Sequence, residues 1–104
     1  MEIENTIKEF REKTEKLYGK RLKKIILYGS WARGHATEDS DIDLAIVLEG
    51  DVTPGREIDR LINIVTEINL KYDALLSVYP VSEKNYISVN SPALLNIRKE
   101  GVPV

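Results

Sequence analysis

The chain reads as an α/β domain, a small mixed β-sheet covered by helices. Three observations predict it. Apolar residues recur at helical spacing near the N-terminus and again in the middle of the chain. Three short apolar runs of strand length are bounded by glycine or by polar loops. The two kinds of segment alternate, in the order helix, strand, turn, strand, helix, strand, helix, as mixed α/β architectures do.

Each element has a local reason. Ile3, Ile7, Phe10, Thr14, Leu17 and Tyr18 share one helical face, so Glu4 to Tyr18 is expected to be an amphipathic helix ended by Gly19. Leu22 to Tyr28 is the first strand. Ser30 to Arg33 fits one helical turn stopped by Gly34, and His35 to Ser40 is polar loop. Ile42 to Leu48, almost continuously apolar, is a central strand. After a loop from Glu49 to Val52, Thr53 can cap a helix that begins with Pro54 and runs to Lys71. Its core stripe is expected to be Ile58, Leu61, Ile62, Val65, Ile68 and Asn69. Asp73 to Val81 is the third strand, and Pro80 marks an edge or a terminus. Ser82 to Tyr86 is a helical turn. Ser91-Pro92 opens a last helix with Gly101 past its end.

The short link between the first two strands makes them antiparallel neighbours. The helix from Pro54 is about 27 Å long at 1.5 Å per residue. That length carries the chain back, so a right-handed parallel crossover into the third strand is expected. Asp73 would then lie near the start of the second strand.

Composition narrows the function classes. The 104 residues suit one domain over 1–104, with no linker or repeat. There is no cysteine, so disulfides and thiolate metal sites are excluded, and the one histidine, His35, argues against structural zinc. No apolar run is long enough to span a membrane and the N-terminus is charged, so a cytoplasmic location is expected. Net charge is −2, and Lys20, Arg21, Lys23 and Lys24 form the one basic cluster. A solvated strand edge accounts for it better than a nucleic-acid footprint, so no long nucleic acid is expected as a partner.

The chemistry concentrates between Gly29 and Asp43. A Gly29-Ser30 turn leaves the first strand, and Ser40-Asp41-Ile42-Asp43-Leu44 opens the second. Residues two apart on a strand share a face, about 7 Å apart. Two carboxylates held so repel by a few kcal/mol at an effective dielectric of about 20. A divalent cation relieves that repulsion, and hard oxygen ligands suit magnesium. The neighbouring turn can offer N–H groups and a hydroxyl to phosphate. Together they fit a metal–nucleoside triphosphate.

These motifs, Gly29-Ser30, Arg33-Gly34 and Ser40-Asp41-Ile42-Asp43-Leu44, resemble the signature of the nucleotidyltransferase superfamily with a DNA polymerase beta-like core. Its shortest members, the minimal nucleotidyltransferases, are the most similar. The likeness is close from Leu22 to Leu48 and looser beyond. It implies that Asp41 and Asp43 hold metal, with two Mg2+ ions expected, and that Asp73 is a third catalytic, metal-binding carboxylate that helps deprotonate the acceptor. Glu49 and Asp51 compete by type but belong at the far end of the strand.

By the same resemblance Gly29 and Ser30 meet the terminal phosphates of ATP. Arg33 either clamps phosphate oxygens or pairs with Glu38 or Asp39. Ser40 is a further nucleotide-side residue that caps or orients the carboxylate turn. Trp31 stacks on a base or packs under the loop. Tyr28 is core, and Tyr72 shapes the pocket or packs.

The implied reaction is transfer of AMP from Mg-ATP to a hydroxyl. Larger relatives add a domain that holds the acceptor, and none is visible here. Minimal nucleotidyltransferases often accompany a helical HEPN-type toxin, so the implied role is an antitoxin that adenylylates a toxin tyrosine. The alternatives are a non-catalytic module that masks its partner, and a nucleotidyltransferase acting on a small molecule such as an antibiotic.

Overall fold

The side chains of the second strand divide cleanly between two faces, and the architecture follows from that division. In the computed structural model, which describes residues 3–104, β2 (Ile42–Leu48) turns Ile42, Leu44, Ile46 and Leu48 into one apolar cluster and Ala45 and Val47 into another. A strand buried on both faces must be central. The sheet order is β3-β2-β1-β4, with β1 (Leu22–Tyr28) antiparallel to β2 and β3 (Leu76–Ser82) parallel to it. β4 (Val102–Pro103), not foreseen from the sequence, pairs antiparallel with β1.

Helices α1 (Ile3–Tyr18) and α3 (Pro54–Tyr72) supply Phe10, Tyr18, Leu61 and Ile68 to the first cluster. On the other face, α4 (Glu83–Ser88) and α5 (Pro92–Glu100) bring Tyr86, Leu94 and Ile97 against Ile26, Ala45, Val47 and Val81. The short α2 (Ser30–Arg33) sits between β1 and β2. Ser82 and Ser91 cap α4 and α5 by accepting from Asn85 N and Leu94 N. Pro80 lies on β3, an edge strand, as its missing N–H requires.

Three expectations need correction. The buried stripe of α3 is Glu57, Leu61 and Ile68, with Ile64 and Val65 packed beside it, while Ile58 and Ile62 are exposed. The inward-facing Glu57 is met there by a buried hydrogen bond of 2.9 Å from the Tyr18 hydroxyl to its Oε1. Leu17 is likewise exposed, α1 burying Thr6, Phe10, Thr14 and Tyr18 instead.

The third correction bears on the site. The third strand begins at Leu76, not at Asp73. Asp73 is the left-handed C-cap of α3, with φ 51 and ψ 48. Asn69 organises this turn: its carbonyl accepts from Ala74 N, and its Oδ1 accepts from Leu76 N at 2.9 Å. Residues 73 to 75 are therefore used in leaving the helix.

Candidate active site

Gly29 ends β1 in a conformation (φ 72, ψ −151) that L side chains rarely adopt. The reason stands on the neighbouring strand. A Cβ on Gly29 would lie inside contact distance of Asp43 Oδ2 and 3.2 Å from Asp43 Cγ. Glycine is thus what lets the Asp43 carboxyl reach the backbone of the turn. The turn then closes into α2: Arg33 N donates to Gly29 O at 3.1 Å, and His35 N to Ser30 O at 3.0 Å. Gly34 ends α2 in the left-handed region, with φ 75.

The loop that follows delivers Asp41. Thr37 N donates to Ser40 Oγ at 3.0 Å, and Ser40 N to Thr37 O at 3.0 Å. Trp31 Nε1 donates to Ser40 O at 3.3 Å, tying this loop to α2. Trp31 also packs against the main core, so packing under the loop is its observed role. Ser40 orients the carboxylate turn, with its hydroxyl engaged by Thr37. Ile42 N donates to Leu75 O at 2.8 Å, which fixes the start of β2 against β3.

Asp41 is exposed and Asp43 half-buried. Burial pushes the Asp43 pKa above its ordinary value, the Asp41 charge pushes it further, and Arg33 opposes both. These are the electrostatics expected of two acids held together for a cation. The donor set fits a hard divalent metal at Asp41 and Asp43: two oxygen-bearing side chains, one desolvated, both of one sign.

Asp73 does not join them. Among the described residues no group of three or more His, Cys, Asp or Glu side chains is arranged to hold a metal ion. Asp73 is exposed and lines a hollow of about 470 Å3 with Glu38, Asp39, Ser40 and Tyr72. Tyr72 packs and donates to Glu9 Oε1 at 2.8 Å. Arg33 pairs with Glu100 of α5 at 3.1 Å, not with Glu38 or Asp39. Glu49 and Asp51 stand at the opposite end of β2, where their carbonyls accept from Arg21.

The register shows two neighbours of Asp43 that the sequence analysis did not place there. Asp43 is paired with Tyr28 on β1 and with Ser77 on β3. Tyr28, expected to be core, faces the site in part: burial, Asp43 and Tyr79 together raise its phenol to about 12. Pairing partners are set by how strands align, so no local signal in the sequence points to Ser77.

Comparison with known proteins agrees with this geometry. The profile of the nucleotidyltransferase domain matches residues 7–101. A protein of Methanocaldococcus jannaschii, provisionally named a protein adenylyltransferase, is 40% identical over 102 residues, which are 97% of this chain and 96% of that one. A second from the same organism, with the same provisional name, is 36% identical over 90 residues, covering 86% and 88%.

Among solved structures, a toxin-antitoxin crystal structure with AMP-PNP superposes with a TM-score of 0.66 at 17% identity, over 96% of this chain and 70% of that one. A protein from Sulfolobus solfataricus, provisionally named a nucleotidyltransferase, gives 0.55 at 20%, over 97% and 83%. At such identities the structures speak for the fold, the DNA polymerase beta-like one expected. With the profile and the two relatives spanning nearly all of it, the chain belongs to the nucleotidyltransferase domain family, as an enzyme of its minimal class.

Proposed function

We propose that the protein transfers AMP from Mg-ATP to a hydroxyl group on a protein partner, and that it acts as the antitoxin of a helical HEPN-type toxin in the cytoplasm. The observation that carries the reaction is the Asp43 carboxyl held against the Gly29 turn with Asp41 beside it. The protein acceptor is supported by the provisional names of the two relatives. The antitoxin role is supported by the structural neighbour that comes from a toxin-antitoxin structure.

In this reading Asp41 and Asp43 would hold the metal, which when bound supplies positive charge to the triphosphate oxygens. The Gly29-Ser30 turn receives the terminal phosphates, because the first amides of a helix have no acceptor within it. Arg33, on the same turn, reaches phosphate by exchanging Glu100 for it. The acceptor oxygen then bonds to the α-phosphorus, the bridge to the β-phosphate breaks, and pyrophosphate leaves. The acceptor proton passes to water, which reaches the exposed side of Asp41. Positioning and fixed charge supply most of the rate.

The test is incubation with a HEPN-type toxin as the candidate partner, magnesium, and ATP labelled at either the α- or the γ-phosphate. Label retained on the toxin from the α-position only, and lost with Asp43→Asn, is the expected result. A toxin inhibited without label would replace this reading with masking. Label on a small molecule alone would replace it with the antibiotic-type activity.

A further inference from the structure

The row of side chains that crosses the sheet at Asp43 runs Tyr28, Asp43, Ser77. On β3, Leu76 and Val78 belong to the α1–α3 cluster, while Tyr79 and Val81 belong to the α4–α5 cluster. Alternation along a strand therefore puts Ser77 on the α4–α5 face, which is also the face of Asp43, since Ile42 and Leu44 on either side of it enter the α1–α3 cluster and Ala45 the other. Neighbouring strands lie about 4.8 Å apart. Ser77 is exposed. It occupies the place on the third strand from which a side chain can share a ligand with Asp43. Asp73 stands four residues ahead of it, inside the α3 cap, and no third acid gathers with the pair among the described residues.

We propose that Ser77 sets the metal content of the site: with a hydroxyl beside Asp43 instead of a carboxylate, the chain holds one divalent cation with its nucleotide, not two. This rests on the reading of Asp41 and Asp43 as metal ligands. A second cation would need further anionic oxygen at this row, since two dications close together repel strongly and a neutral hydroxyl offsets none of that charge. Ser77 is then a positioning residue, holding its hydroxyl toward Asp43 and the incoming acceptor.

The number of ions can be counted without turnover. Equilibrium dialysis with Mn2+ and a saturating non-hydrolysable ATP analogue measures Mn2+ retained per chain, beyond that carried by free analogue. One per chain is expected for the unaltered protein and for Asp73→Asn, rising to two for Ser77→Asp. Ser77→Glu repeats the test should the aspartate variant fail to fold by circular dichroism. Two ions on the unaltered protein would overturn the proposal and leave the Asp41–Asp43 site standing. So would one ion on both carboxylate variants, or loss of the ion in Asp73→Asn. No retained Mn2+ on any variant would instead remove the metal-site reading beneath it.

Discussion

At Gly29 one missing atom decides where the Asp43 carboxyl can sit. Gly29→Ala would place a methyl against the Asp43 carboxyl while forcing an L residue into a positive φ. Strain of this kind costs about 1–3 kcal/mol. The variant should unfold at lower urea and lose transfer activity together.

Asp43→Asn should separate those two effects. An acid whose folded pKa is raised binds its proton more tightly when folded, so its ionised form costs stability above that pKa. The cost fades as pH falls through the raised value toward its ordinary 3.8. Asp43→Asn is therefore expected to melt higher than the unaltered protein at pH 7, with the difference shrinking toward pH 4. Transfer should fall by about 100-fold or more, as for loss of metal-held charge. Thermal melts across pH and a rate assay check both halves. At this scale the turn at Gly29 and the strand opening at Asp43 were legible because they are close along the chain, and the structure brings them together. Asp73 was misread as a strand start because a lone acid before an apolar run looks the same whether it starts a strand or caps a helix.

Between elements, α1 and α3 are joined by polar groups as well as apolar ones. The Tyr18–Glu57 hydrogen bond is buried, and Arg60 lies 3.5 Å from the same carboxylate oxygen. Tyr18→Phe leaves Glu57 with Arg60 alone, and should cost about 1–2 kcal/mol in urea unfolding. Burial and Glu57 both raise the Tyr18 pKa. A phenol raised on folding contributes stability that is complete below its ordinary pKa of 10.0 and is lost as pH climbs above it.

Thr14, also on α1, buries a hydroxyl that has no hydrogen-bond partner among the described residues. Thr14→Val removes that group at nearly constant shape, and should stabilise the protein by about 1 kcal/mol in the same measurement. Helical period alone placed Phe10, Thr14 and Tyr18 on the buried face. It could not show that α3 would turn Glu57 inward, because two adjacent stripes of that helix satisfy the same period and the hydroxyl that meets Glu57 lies far along the chain.

For the molecule as a whole, the site is assembled by the sheet and covered by little else, so ligand should report on global stability. A ligand at about 100 times its Kd stabilises the folded state by about 2.7 kcal/mol. For a chain of this size that is a rise of about ten degrees or more in melting temperature. The rise should need magnesium and ATP together, vanish with EDTA, and be absent in Asp43→Asn, as differential scanning fluorimetry would show. No helix among the described residues is long and apolar enough to cross a membrane. The sequence by itself determined the three principal strands, the main helices, and the Gly29 turn facing an acidic pair, because these rest on local period, caps and residues close along the chain. Only the tertiary structure decided that Asp73 stands apart, that Ser77 flanks Asp43, that Glu100 holds Arg33, and that the last residues add a strand. Each of those depends on how distant segments align once the core is packed, and alignment is set by the energy of the whole sheet.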